Sequence, residues 1–162
     1  MITMTTTAPI KGVLADEAQR VVGDALQATL VDLIDLGLIA KQAHWNVVGV
    51  NFTSVHEDLD ELVDVTREFS DATAERATAI GVSPDGRSET VAKTTGATGI
   101  GEGWINDTNV VGVIVENLAA VIGGIRERIE LSGKSDPVTE DLLIGFAARL
   151  EQLHWMWQAR QA

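Results

Sequence analysis

Cysteine and tyrosine are absent from the 162 residues, and only three prolines interrupt the chain, at Pro9, Pro84 and Pro137. Without thiols there can be no disulfide, no thiolate metal site, no iron–sulfur cluster and no cysteine nucleophile. Basic residues are scarce as well: 12 Lys and Arg stand against 24 Asp and Glu, a formal charge of -12. A sequence-blind nucleic-acid binder needs clustered Lys and Arg to neutralise phosphates, so this balance argues against that class and suits a protein that attracts cations. The opening residues MITMTTTAPI have neither the basic nor the apolar region of a secretory signal. The apolar stretch 26–40 is broken by Asp32 and Asp35 and is too short to span a bilayer. The expectation is a soluble cytoplasmic protein with no membrane partner.

What is present is apolar material in helical register. Hydrophobic residues make up 45% of the chain, enough for one core at a length that suits one domain. Residues 1–12 are Thr-rich and read as a flexible arm, which leaves 13–162 as the domain. From Asp16, apolar residues recur at helical spacing through Val22, Leu26, Leu30, Leu33, Ile34 and Leu38 towards Trp45, and Gly49 suits the end of that run. A second run starts near Thr53-Ser54, whose hydroxyls suit a cap, and ends at Ile80-Gly81. A third runs from Asn106 or Asp107 to Leu131, and a fourth from Pro137 to about Arg160. The segment 81–105 is Gly-, Ser- and Thr-rich, with room for one short helix around Glu89–Lys93. Four long helices and no convincing strand predict an all-α four-helix bundle. The crossover of about 25 residues between the second and third long helices points to single-crossover, ferritin-like connectivity rather than up-down-up-down.

The second helix is densest in metal-ligating side chains. At 100° per residue, with His56 at zero, Asp60 falls at about 40°, Asp71 at about 60° and Glu75 at about 100°, so the four share a stripe. The His56/Asp60 and Asp71/Glu75 pairs are centred about 15 residues apart, or roughly 22 Å along a helix. Metal–ligand bonds are about 2.0–2.2 Å, so no single ion can reach both pairs within one chain. Either there are two half-sites, or two copies share the site. Antiparallel packing of this helix against its copy about a two-fold axis would join His56/Asp60 of one to Asp71/Glu75 of the other and generate two equivalent centres. His44, near the end of the first helix, could add an imidazole. Mixed imidazole and carboxylate ligands accept Fe(II) and stabilise Fe(III).

These residues also resemble a known family. Lys41-Gln42-Ala43-His44-Trp45-Asn46-Val47-x-Gly49, then Phe52-x-x-x-His56-Glu57-x-x-Asp60, then Asp71-x-x-Ala74-Glu75-Arg76, are similar to the Dps miniferritins, DNA-binding proteins from starved cells. Asp136-Pro137-Val138-Thr139-x-Asp141 and His154-Trp155-Met156 resemble that family's last helix. The resemblance implies a hollow dodecamer that oxidises Fe(II), preferably with hydrogen peroxide rather than dioxygen, and stores ferric mineral inside. It implies ferroxidase centres between two-fold-related subunits, with His44, His56 and Asp60 from one chain and Asp71 and Glu75 from its partner. Trp45, beside His44, would serve as a radical sink, which Trp45→Phe would test through mineral yield in peroxide. The resemblance also implies an acidic three-fold iron pore near Asp136, Glu140 and Asp141, although carboxylates at a helix start are favoured by its dipole in any case.

Other patterns carry less. Glu151-x-x-His154 matches in-bundle di-iron spacing, but no second copy exists, so His154 reads as packing beside Trp155. His56-Glu57-x-x-Asp60 lacks the second histidine of a zinc protease helix. The residues 96–103 are Gly-rich without a Walker lysine, so no nucleotide site is expected. Several relatives bind DNA through Lys-rich tails, whereas the first 19 residues here hold only Lys11. DNA binding is therefore expected to be weak or absent, with no gel shift of a duplex at about 150 mM salt. The alternative function is a nucleoid-associated structural protein with secondary iron chemistry.

Overall fold

The computed structural model describes residues 8–162; of the arm expected at 1–12, residues 1–7 lie outside the described residues. Five helices follow in order: α1 (Asp16–Asn46), α2 (Phe52–Ala79), α3 (Ser88–Thr94), α4 (Asp107–Gly133) and α5 (Pro137–Gln158), with a closing 3₁₀ turn at Ala159–Gln161. The four long helices form the bundle, with α1 against α2 and α4 against α5 as its most extensive contacts. Its core is a continuous apolar cluster that includes Leu33, Leu36, Leu59, Leu62, Ile114, Leu118, Leu143 and Leu150, all fully buried. The fold is ferritin-like, as the crossover predicted, and the short crossover helix is α3.

Local chemistry sets the ends. Asp136 caps α5 by accepting from the amides of Val138 and Thr139, and Pro137 occupies the first turn, where its missing N–H costs nothing. Past α2, Gly81 has φ +85. Its N–H reaches Thr78 O and the next N–H, of Val82, reaches Ala77 O, the paired closure that favours glycine. The hydroxyl cap expected at Thr53-Ser54 is not used: α2 begins at Phe52, and no side chain of its own caps it. Instead Asp107 Oδ2, from the start of α4, accepts from Asn51 N at 2.7 Å.

Two further features lay beyond the expected pattern. A two-residue parallel pair joins β1 (Val47–Val48) to β2 (Ile105–Asn106), in register Val47 to Ile105. The crossover thus returns along α2, roughly 40 Å at 1.5 Å per residue, to the α1–α2 turn. The most apolar window also lies in α4 rather than in 26–40: by length and composition alone α4 could cross a membrane. Its apolar face is spent on the core, through Val110, Ile114, Leu118, Val121 and Ile125.

Buried and half-buried polar side chains hold the crossover in place. Gln27 exchanges two hydrogen bonds with the Asp85 backbone. Asp32, 2% exposed, accepts from Gly96 N at 2.6 Å and pairs with Arg128 at 2.8 Å. Asn117, fully buried, accepts from Thr98 N and Gly99 N and donates to Gly99 O and Val113 O, so every hydrogen-bonding position of its amide is filled.

Candidate metal centre

The last turns of α1 and the first turns of α2 flank the Gly49 turn, and they bring His44 and His56 face to face. Their ring centroids lie 3.7 Å apart with planes 19° from parallel. Each ring binds the other's backbone: His44 Nδ1 lies 2.8 Å from His56 O, and His56 Nδ1 lies 2.9 Å from His44 O. A carbonyl can only accept, so both Nδ1 atoms carry hydrogen, the tautomer that leaves Nε2 as the nitrogen able to ligate. That is how a ligating histidine is oriented and its tautomer fixed. Phe52, one helical turn before His56 on the same face, packs on it at 5.0 Å between centroids.

Asp60 completes the cluster. Its Oδ1 accepts from Lys41 Nζ at 2.5 Å and lies 3.4 Å from His44 Nδ1. The Lys41 hydrogen bond, joined by the nearby imidazoles and outweighing the desolvation that opposes it, holds the Asp60 carboxyl below its ordinary range. Lys41 sits three residues before His44, one helical turn away on the same face, and this spacing is the signal that could have marked it as part of the centre. The structure therefore brings together three of the expected residues, His44, His56 and Asp60, with an ammonium on the carboxylate.

Asp71 and Glu75 lie farther along α2, are exposed, and have no hydrogen-bond or ion-pair partner among the described residues. Nor is there, among those residues, any group of three or more His, Asp or Glu close enough to hold one ion. Asp71 instead lines an open groove of about 890 Å³ that also takes in Lys41, Trp45, Arg67 and, from the crossover, Gly99 and Ile100. Trp45, 65% exposed, reaches that groove from beside His44.

The acidic corner between α4 and α5 divides in the same way. Asp136, expected near a pore, is turned inward at 3% exposure. It accepts from Arg76 Nη2 at 2.6 Å and Thr139 Oγ1 at 2.6 Å. Burial would raise its carboxyl, but the Thr139 and Arg76 hydrogen bonds prevail and hold it below its ordinary range. Asp141 remains exposed and Glu140 half-buried. His154 is half-buried, and its neighbour Glu151 pairs with Arg126.

Residues 23–161 match the ferritin-like domain family. The chain is 37% identical over 153 residues to the DNA protection during starvation protein of Mycolicibacterium smegmatis, covering 90% of this chain and 80% of that one. The chain belongs to the ferritin-like Dps family. The Dps-type fold extends to DpsA14 from Streptomyces coelicolor, with a TM-score of 0.89 at 35% identity, covering 94% of this chain and 92% of that one. The fine tangled pili major subunit of Haemophilus ducreyi is 38% identical over 138 residues, 85% of this chain and 73% of that protein. The Dps framework is thus shared by proteins named for different roles, and the side chains must carry the functional argument.

Proposed function

We propose that this Dps-family chain is a ferroxidase and iron store of the cytoplasm. It would oxidise Fe(II), with hydrogen peroxide ahead of dioxygen, at centres shared between two-fold-related copies in a hollow dodecamer. Two Fe(II) ions each give up one electron; the O–O bond of the peroxide takes both and breaks. Hydrolysis of the Fe(III) releases protons as the ferric mineral forms in the cage. Consuming both reactants in one place limits hydroxyl radical and so protects DNA without the protein having to grip it. The observation that carries this reading is the histidine pair, His44 of α1 and His56 of α2: two imidazoles with Nδ1 tied down and Nε2 free, beside the Asp60 carboxylate of the helix that also bears Asp71 and Glu75.

In this reading His44, His56 and Asp60 hold iron from one side and the partner copy supplies Asp71 and Glu75 across the groove. Lys41 and the Nδ1 hydrogen bonds keep the first three ligands in place. Trp45, exposed beside His44, would lose an electron before a radical diffuses away. Glu140 and Asp141 remain the carboxylates of the α4–α5 corner that a pore could use.

Complementation tests the shared centre. His56→Ala and Asp71→Ala chains, each inactive alone, are co-expressed so that they assemble together. In a two-fold dimer of the two variants one centre carries both defects and the other neither, so random pairing leaves about one quarter of centres intact. Fe(II)/peroxide absorbance should recover to about that fraction. Recovery of nothing from mixed oligomers would remove the shared centre from the reading.

A further inference from the structure

The stacked histidines depend on a turn, and the turn rests on a residue from the other half of the bundle. Asp107, the first residue of α4, is 3% exposed. Its Oδ2 accepts from Asn51 N at 2.7 Å and its Oδ1 from Thr108 N at 2.8 Å, so one carboxylate serves the N-termini of both α2 and α4. Gly49 has φ +132, and a β-carbon there would fall 2.6–2.8 Å from the Asp107 carboxyl atoms, so the turn lies directly on the carboxylate. The parallel pairing of Val47 with Ile105 fixes the approach from the other side. Asn51 then sets the first residue of α2, Phe52, whose ring meets His56, whose ring meets His44. An unbroken chain of contacts runs from Asp107 to both imidazoles.

We propose that Asp107 is a positioning residue for the histidine pair, acting through the Gly49–Asn51 turn and Phe52. The inference rests on the reading of His44 and His56 as metal ligands. Each histidine's Nδ1 hydrogen bond ends on the backbone of the opposite helix, so a turn that relaxes moves donor and acceptor apart at both bonds together. The Nε2 lone pairs then lose their common aim. Partners that orient ligands without touching the metal cost 10–100-fold in affinity when removed, and Asp107 belongs with them in size of effect although it lies one step farther out.

The test uses the assembled protein, Co(II) binding followed by absorbance, and nitrogen-15 NMR of the histidine Nδ1–H groups in metal-free protein. Asp107→Ala should weaken Co(II) binding roughly 10–100-fold and lose the protected Nδ1–H signals of both rings together. Asp107→Asn should restore most of both, because its amide oxygen can still accept from Asn51 while Asn106 Oδ1 continues to hold Thr108 N. Phe52→Leu, which leaves the carboxylate in place, should act in the same direction through the last link. Ile125→Val, a buried change on the same helix, should lower Tm and leave Co(II) affinity alone. An Asp107→Ala protein that loses Tm while keeping Co(II) affinity and both Nδ1–H signals would overturn the proposal. So would a Phe52→Leu protein with unchanged affinity, should Asp107→Ala not assemble. If wild-type protein takes up no Co(II), the ligand reading fails, while the NMR signals still decide whether Asp107 positions the rings.

Discussion

The two ends of α2 carry the same kind of side chain and treat it oppositely. Near its start, His56 and Asp60 are half-buried and tied to α1 through stacking, two Nδ1 hydrogen bonds and the Lys41 ion pair. Towards its other end, Asp71 and Glu75 stand exposed without partners among the described residues. A group tied down inside its own chain is ordered before any metal arrives and contributes to folding. A group left free contributes nothing to the isolated chain and is available to something outside it. The contrast is what a centre completed by a second copy requires: one half preorganised, the other presented.

That contrast can be broken by comparing stability with function at the two ends. Asp71→Asn and Glu75→Gln should each lower Fe(II) oxidation on the order of 100-fold, at least as much as the loss of an orienting partner would. Their unfolding free energy should stay within about 0.5 kcal/mol of wild type, as for other exposed substitutions. His56→Ala should lower oxidation as severely and also cost about 1–2 kcal/mol, because it removes a hydrogen bond and strands the His44 carbonyl. Activity assays and denaturant titration of the same samples separate the outcomes. Equal destabilisation at both ends would dissolve the comparison.

The free end of α2 is nevertheless not a loose end. Arg76, next to Glu75, is held by Asp136 and Thr139 of α5. Asp136→Asn keeps a capping oxygen but removes the charge opposite Arg76, and should cost about 2 kcal/mol at neutral pH, as for hydrogen bonds to charged groups. The sign with pH follows from the lowered carboxyl. A carboxylate stabilised in the folded state contributes fully above its unfolded pKa of about 3.9 and loses that contribution as pH falls through the folded value. The Tm gap between wild type and variant should therefore begin to close below about pH 5 and go on closing as the folded carboxyl is protonated. A gap that stays constant over that range would mean that the charge of Asp136 is not what secures this end.

Much of the fold was legible because its signals are local. Helical periodicity, Gly81 past α2, Pro137 at the head of α5 and the Gly-rich crossover are each read within a few residues. Of the site, the stripe on α2 follows from helix geometry, and the structure does bring His44, His56 and Asp60 together. What the sequence hid are pairings across long separations. Asn51 with Asp107, Arg76 with Asp136 and Val47 with Ile105 join residues nearly 60 or more positions apart, and periodicity carries no such information. Thr53-Ser54 offered a plausible local cap, yet a carboxylate from α4 took that task. Asp136 read in the sequence as a pore carboxylate or as a complement to the helix dipole, and neither reading reveals its ties to Arg76 and Thr139.

The smallest effect probes the preorganised half from within. Lys41 Nζ sits 2.5 Å from Asp60 Oδ1, the oxygen nearest His44, and so puts a positive charge where an incoming divalent ion would bring another. Two consequences oppose each other. The ammonium orders Asp60, which favours binding, and it repels the ion and must yield the carboxylate, which disfavours it. Asp60 is about half exposed, so water and salt screen the pair and keep its worth near 0.2–1 kcal/mol. Repulsion by a full unit charge at this range outweighs the modest ordering of a short side chain already anchored on a helix. Lys41→Gln, which keeps most of the length without the charge, should therefore bind Zn(II) tighter, by about two- to five-fold at low salt. Calorimetric titration at about 20 mM and 200 mM salt should show the gain shrinking as screening grows. Weaker binding in Lys41→Gln would instead mean that the ordering of Asp60 by Lys41 outweighs the repulsion, and the preorganisation of this half would then include a charge that the metal never displaces.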